Sequence, residues 1–171
     1  MQLQRFLRHR FWDEEDARRV LPAEALTRLQ QRVAASEARH TGEIRVCVEA
    51  SLPLSYLWRD APARERAVAM FAKLRVWDTS DNNGVLIYLL LAEHAIELVA
   101  DRGVARYVDP AVWQTVVAHL SDELRQGHFE QGLTQALEEV SAVLVAHFPD
   151  SGADGVNTPG PNQLPDEPVL R

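Results

Sequence analysis

The sequence predicts a three-layer α/β domain, in which helices cover both faces of a small mixed β-sheet. Three observations predict this class. Apolar and polar residues alternate over 43–50, which is typical of a strand with one buried face. A continuously apolar run at 85–91 has the character of a strand that is covered on both faces. Apolar residues at helical spacing precede and follow these strands, so that the predicted order is α-β-α-β-β-α-α.

The composition of the chain limits its class. Its 171 residues, of which 46% are hydrophobic and 25% charged, suit one globular domain. The single cysteine, Cys47, excludes an internal disulfide and a cysteine-built metal site, and we expect it to be a packing residue. The net charge of −7 argues against nucleic acid as a partner. Because no apolar run approaches the length of a membrane span, we expect no integral membrane segment and a cytoplasmic location.

The first helix is predicted to begin at Asp13, after an N-terminal segment of residues 1–12. The Asp13 side chain can cap the first turn, and apolar residues then recur at helical spacing over 20–33. Pro22 interrupts this pattern and divides it into a short helix and a longer one. The strand at 43–50 follows directly after a Thr-Gly pair.

The middle of the chain is predicted to hold a loop, a helix and a β-hairpin. Two prolines bracket a loop that carries Tyr56, Leu57 and Trp58, and a helix follows over 61–74. The short connection between the apolar runs 85–91 and 95–99 predicts an antiparallel hairpin.

Two further helices and a tail complete the prediction. Asp109 and Pro110 form a strong helix start, and a last helix spans about 129–147. The domain therefore extends over 13–148. The prolines and glycines concentrated in 149–171 indicate a tail.

An oxygen-rich cluster is predicted at one edge of the sheet. In a hairpin the start of the first strand lies beside the end of the second, and a parallel neighbour joined by a helical crossover begins at the same edge. Carboxylate and amide oxygens at such an edge suit a hard cation such as Ca²⁺. The alternative is that these residues only cap and turn the chain. The residues brought together in this way are Thr41, Gly42, Glu43, Asp78, Asp81, Asn82, Asn83 and Asp101.

No standard catalytic signature is present. The sequence contains no phosphate-binding loop, nucleophile elbow, dinucleotide-binding glycine pattern or zinc-protease motif. The six histidines are scattered without the spacing of metal ligands. We therefore assign no catalytic residue.

Four motifs, in order, resemble those of the TPM domain family, which includes thylakoid lumen phosphatase, photosystem II repair proteins and a receptor-associated protein. The match covers about Leu21–Phe148 and implies the same sheet with helices on both sides. The closing residues 162–166 resemble the tail of a short bacterial branch that lacks a signal peptide and a membrane helix. The four motifs are the TGxEI opening in His40–Val46, the (D/R)NGVLI strand in Asn82–Tyr88, the second hairpin strand with its D-x-G turn in Ala95–Val104, and the glycine-containing helix junction in Arg125–Leu133.

The resemblance implies binding of Ca²⁺ or another divalent cation, acid phosphatase activity, or assistance to membrane protein complexes. Carried over by motif, the candidate ligands are Asp81, Asn82 and Asp101, with Glu43 and Asp78 as additions. Asn82 stands where many relatives have the aspartate of a D-N-G sequence. This departure implies weaker metal binding, or none.

Three functional hypotheses follow. The first is a non-catalytic module that binds a divalent cation or a protein partner, including a membrane-associated one. The alternative is a metal-dependent, acid phosphatase-like hydrolase of phosphomonoesters, for which Arg102 is the obvious cationic neighbour. The third is an adaptor that docks through the loop of Tyr56, Leu57 and Trp58, of which Tyr56 and Trp58 are the candidate partner-binding residues.

Overall fold

The polypeptide is organised around one four-stranded sheet with helices on both of its faces. A computed structural model describes residues 2–150 and 162–171. A 3₁₀ turn at Leu91–Glu93 connects the second and third strands. The elements are α1 (Gln2–Arg10), α2 (Glu14–Val20), α3 (Ala23–Glu37), β1 (Glu43–Glu49), α4 (Leu54–Trp58), α5 (Ala63–Lys73), β2 (Gly84–Leu90), β3 (Ala95–Ala100), α6 (Arg102–Ala105), α7 (Pro110–Arg125), α8 (Phe129–His147) and β4 (Val169–Leu170).

The sheet has the strand order β3-β2-β1-β4. β1 and β2 run parallel, with Glu43 opposite Gly84, and β2 and β3 run antiparallel, with Val85 opposite Ala100. The predicted hairpin is therefore confirmed, and β1 lies parallel beside it.

Two apolar cores lie on the two faces of the sheet. One core places Leu29 of α3 and Leu137 of α8 with Ile44 and Ile87 of the strands. The other places Met70 of α5 with the alternate strand residues. Helices thus cover both faces, and the predicted α/β class is confirmed.

Two helix starts are fixed by the aspartates that the sequence indicates. Asp13 accepts hydrogen bonds from the backbone N–H groups of Glu15 and Asp16, and the Asp16 carboxylate accepts one from the Asp13 N–H in return. Asp109 accepts from the N–H of Ala111 at the start of α7. These caps satisfy amides that the first turn of a helix leaves without an internal partner.

The prediction that β1 buries only one face is wrong, because all seven of its residues are buried. The polar face is covered by α5 and by the C-terminal segment. Glu49 accepts two hydrogen bonds from the Arg66 guanidinium, at 2.6 and 2.9 Å, and a third at 2.7 Å from the Tyr88 hydroxyl. Alternation of polar and apolar residues here marks two different buried environments.

Both ends of the described chain contribute to the structure. Within the predicted N-terminal segment, residues 2–10 form α1, which contacts α4 and the 3₁₀ turn. Residues 162–171, which composition assigns to a tail, pack along β1, where β4 pairs Val169 with Cys47. Leu164 in this segment is buried. The part of the predicted tail at 151–161 lies outside the described residues. Among the described helices, none combines the length and apolar character that crossing a bilayer requires.

Candidate functional site

The strand register brings three chain segments to the edge where β1 and β2 begin. The backbone N–H of Asp101 donates to the carbonyl of Gly84 at 2.9 Å, and the N–H of Gly103 donates to the carbonyl of Asn82 at 2.8 Å. Glu43 lies opposite Gly84 on the other side. The loop 78–83, the start of β1 and the end of β3 are therefore neighbours, as the hairpin topology predicts.

Asp101 is a buried acidic residue at this edge. Its side chain caps α6, where Oδ1 accepts from the Arg102 N–H at 2.7 Å. The residue is 6% exposed, and Oδ2 is buried without a hydrogen-bond partner among the described residues. A buried carboxylate oxygen without a partner is unfavourable, so this atom is a candidate to meet a donor or a cation.

A second buried oxygen at the same edge belongs to Asn83. The residue is fully buried, its Nδ2 donates to Oγ1 of Thr41 at 3.1 Å, and its backbone N–H donates to Oγ1 of Thr79 at 3.0 Å. The Asn83 Oδ1 atom has no hydrogen-bond partner among the described residues. The residue before β2 and the residue after β3 thus each carry one buried acceptor that lacks a hydrogen-bond partner within residues 2–150 and 162–171.

Asp81 and Asn82 lie on the exposed loop beside Gly103. A Cβ atom at Gly103 would lie 2.4 Å from the Asp81 carbonyl oxygen and 2.5 Å from that of Asn82, so the loop backbone is packed directly against this glycine. A cavity of about 200 Å³ opens here, and Arg102 and Arg106 line it together with these three residues. Acidic, neutral and cationic groups therefore share one small cavity.

The other two candidate ligands already have partners. Asp78 forms an ion pair with Arg75. The Glu43 carboxylate accepts from the backbone N–H groups of Gln163, at 2.9 Å, and Leu164, at 3.2 Å. Burial raises the pKa of Glu43, an effect that these two hydrogen bonds oppose. The structure therefore places Glu43 and Asp78 in structural contacts.

Few charged side chains at this edge could bind a metal ion. In residues 2–150 and 162–171, no group of three or more His, Cys, Asp or Glu side chains is arranged to hold a metal ion. A cation at this edge would take Asp101 as its buried carboxylate, and otherwise oxygens of Asn83 and of the 81–82 loop. Oxygens of this kind are the ligands of Ca²⁺ and Mg²⁺, with few charges among them.

An acidic cavity of about 190 Å³ beside this edge was not predicted from the sequence. It is lined by Glu37, Glu43 and Asp166, together with His40. Burial, helped by the nearby carboxylates of Glu43 and Asp166 and opposed by the hydrogen bond from the Ile44 N–H, raises the pKa of Glu37 to about 9. Burial lowers the pKa of His40 to about 4. Glu37 follows Leu29 and Val33 at intervals of four, a spacing that could have placed it on the buried face of α3.

The segment predicted as an aromatic loop is the short helix α4, and its side chains are divided between interior and surface. Leu57 is buried, and the half-buried Tyr56 ring lies beneath the guanidinium groups of Arg59 and Arg66, at 4.6 and 5.2 Å from its centroid. Trp58 is 76% exposed. Of the two candidate partner-binding residues, Trp58 therefore offers the larger free surface.

Comparison with known proteins places this chain in a family. No curated protein matches it. The solved structures that resemble it include the NMR structure of the BA42 protein from the psychrophilic bacterium Bizionia argentinensis, with a TM-score of 0.72 and 26% sequence identity, over 87% of this chain and 94% of that one. A family model of the TPM domain matches residues 15–143. Since this match extends over well more than half of the sequence, the chain belongs to the TPM domain family.

Proposed function

We propose that this chain is a non-catalytic TPM module that binds a divalent cation, with Ca²⁺ as the first candidate, at the edge where β1 and β2 begin. The observation that carries the proposal is the pair of buried acceptors, Asp101 Oδ2 and Asn83 Oδ1, that have no hydrogen-bond partner among the described residues. Each would gain a partner when a cation binds.

The ligand set predicts a weak site. Asp101 supplies the buried charge and Asn83 supplies a neutral oxygen, while the exposed Asp81 lines the small cavity beside Asp101. Arg102 and Arg106 line this cavity and reduce its attraction for a cation. Because affinity for Ca²⁺ follows the number of charged ligands, we expect a dissociation constant on the order of 10⁻⁴–10⁻³ M.

Thermal unfolding of metal-stripped protein tests this function. A ligand that binds the native state raises Tm once its concentration exceeds the dissociation constant, so millimolar Ca²⁺ should give a saturable rise. Asp101→Asn keeps the helix cap and the side-chain volume, and should lose most of the rise. Asp78→Asn is the matched control, because Asp78 pairs with Arg75, and should keep it. No rise with Ca²⁺, Mg²⁺ or Mn²⁺, or a full rise in Asp101→Asn, would contradict the proposal.

A metal-dependent phosphatase is the second candidate, and one observation favours it. Arg102 and Arg106 line the same cavity as Asp81, and two guanidinium groups can stabilise the charge of a phosphate ester. The residues that line this cavity include no histidine, cysteine or serine to act as a nucleophile, so water on the cation would have to serve. Turnover of p-nitrophenyl phosphate that disappears in both Asp101→Asn and Arg106→Met would replace the non-catalytic proposal with this one.

A further inference from the structure

The N-terminal helix α1 packs against the domain through Arg5, His9 and the half-buried Phe6, which lies against the apolar core on the α5 face of the sheet. The Arg5 guanidinium contacts Glu93 at 2.6 Å, Asp60 at 2.7 Å and the carbonyl of Ala61 at 2.6 Å. His9 is 4% exposed. Its Nδ1 accepts from the Leu52 N–H at 3.0 Å, which leaves Nε2 to donate to Glu93 at 2.9 Å. Charged and polar groups, together with one aromatic ring, therefore hold this helix on the body.

The opposite side of α1 presents apolar side chains to solvent. Leu3 is 73% exposed and Leu7 is 47% exposed, while Phe11, directly after the helix, is 78% exposed. An amphipathic helix of a soluble domain ordinarily turns such residues inward, whereas α1 leaves its two leucines exposed. Arg5 and His9 hold α1 on the domain with five hydrogen bonds, so the two leucines are exposed while the helix is docked.

A neighbouring helix extends this apolar surface. Leu54 and Trp58 of α4 are 66% and 76% exposed, and the Trp58 ring meets the Phe6 ring edge-to-face at 6.3 Å between centroids. In the described part of the chain nine large apolar side chains are exposed, and five of them belong to α1, α4 and Phe11. We call these five residues the outer face; they are Leu3, Leu7, Phe11, Leu54 and Trp58.

The N-terminal segment that carries most of the outer face is positively charged in a protein that is otherwise acidic. Residues 1–12 contain Arg5, Arg8 and Arg10 and no acidic residue, so that all 25 aspartates and glutamates lie after residue 12. Arg8 and Arg10 are exposed, and neither has an ion-pair partner among the described residues. The leucine, phenylalanine and tryptophan side chains of the outer face therefore lie beside arginines that are available to an anionic surface.

We infer that the outer face docks the protein on the surface of an anionic lipid bilayer. Helices that lie in the plane of a membrane interface place leucine, phenylalanine and tryptophan in the headgroup region and use arginines to bind anionic lipids. Tryptophan is enriched at this depth because its ring is amphipathic. The negative charge of the rest of the chain would hold the other faces away from the membrane, which favours one orientation.

Vesicle co-sedimentation of the full chain tests this inference. Vesicles of phosphatidylcholine containing about one third phosphatidylglycerol should bind the protein, and vesicles of phosphatidylcholine alone should bind it about tenfold less, because each available arginine adds to the attraction. The double variant Leu3→Glu/Leu7→Glu and the double variant Arg8→Glu/Arg10→Glu should each lower binding to the anionic vesicles by about tenfold or more. Tryptophan emission should shift to shorter wavelength on binding, and Trp58→Phe should remove most of this shift.

Matched controls keep the inference falsifiable. Val68→Glu alters an apolar residue of α5 that is 48% exposed and outside the outer face, and should bind vesicles as the parent does. Trp77→Phe removes a tryptophan outside the outer face whose exposed fraction is 50%, and should keep the emission shift. Because all these positions are exposed, thermal unfolding should verify that each variant is folded. The inference is overturned if the protein does not bind anionic vesicles, or if Leu3→Glu/Leu7→Glu still binds them. It is also overturned if the protein sediments as a dimer that this variant dissociates, which would assign the outer face to a second copy of the chain.

Discussion

Replacing Glu37 with glutamine should stabilise the protein, and increasingly so as the pH rises. Glu37 is buried beside Glu43 and Asp166, and burial raises its pKa to about 9 from an ordinary value of 4.5. The folded state therefore holds a proton between these pH values that the unfolded state releases. Stability contributed by this group is fully present below pH 4.5 and is lost as the pH rises towards 9.

The size of the effect follows from the same shift. Each pKa unit corresponds to about 1.4 kcal/mol, so between pH 4.5 and pH 7 the protonation of Glu37 lowers the free energy of unfolding by at most about 3.4 kcal/mol. Glutamine keeps the oxygen that accepts from the Ile44 N–H at 2.8 Å, and it carries no charge to desolvate. We therefore expect Glu37→Gln to gain about 1–3 kcal/mol at pH 7.

Urea unfolding of both proteins at about pH 5, 7 and 9 measures this prediction. His40 supplies an internal reference, because burial lowers its pKa to about 4 from 6.5. Its contribution rises with pH between these values, since the unfolded state binds a proton there that the folded state does not. The variant should show this rise and then a plateau, whereas the parent should lose stability above pH 6.5. Parallel curves for the two proteins would refute the placement of a neutral Glu37 in this cavity.

Three further predictions concern other parts of the fold. Deleting residues 162–171 should lower the free energy of unfolding by about 2–5 kcal/mol in urea, since it uncovers the site of buried Leu164 and removes two N–H donors to Glu43; a loss below 1 kcal/mol would contradict it. Gly103→Ala should lower Tm by several degrees, because its Cβ would lie 2.4 Å from the Asp81 carbonyl; an unchanged Tm would show that the loop yields. The Cys47 thiol, whose pKa burial raises to about 12, should react with an aromatic disulfide reagent only in denaturant; fast native labelling would place it at the surface.

Local patterns were sufficient to predict most of the fold. The alternation of Ile44, Val46 and Val48 located β1, and the short connection after β2 identified the hairpin. Asp13 and Asp109 marked two helix starts through their capping chemistry. The neighbourhood of the 81–84 loop and Asp101 follows from the hairpin alone. These features depend on residues close in sequence, which is why they could be predicted.

The parts that could not be predicted depend on contacts between distant residues. α1 faces the body with Arg5 and His9, and with Phe6 as its one large apolar contact, so a search for an apolar inward stripe does not identify it as packed. β4 has two residues and forms only because the edge of β1 is available to it. Burial of Glu43 likewise requires Gln163 and Leu164, which lie 120 and 121 positions further along the chain. Sequence periodicity carries no information on such pairs.

The most direct test of the central claim is an amide NMR titration of metal-stripped protein with Ca²⁺, followed by Mn²⁺. The account predicts saturable shifts of the Gly84 and Gly103 signals, and selective broadening of the same signals by Mn²⁺, both lost in Asp101→Asn. Gly127 lies in the connection between α7 and α8 and should stay unchanged in both titrations. If the Gly84 and Gly103 signals do not move at millimolar Ca²⁺, or if the ions perturb another part of the chain instead, the proposed cation site at this edge is contradicted.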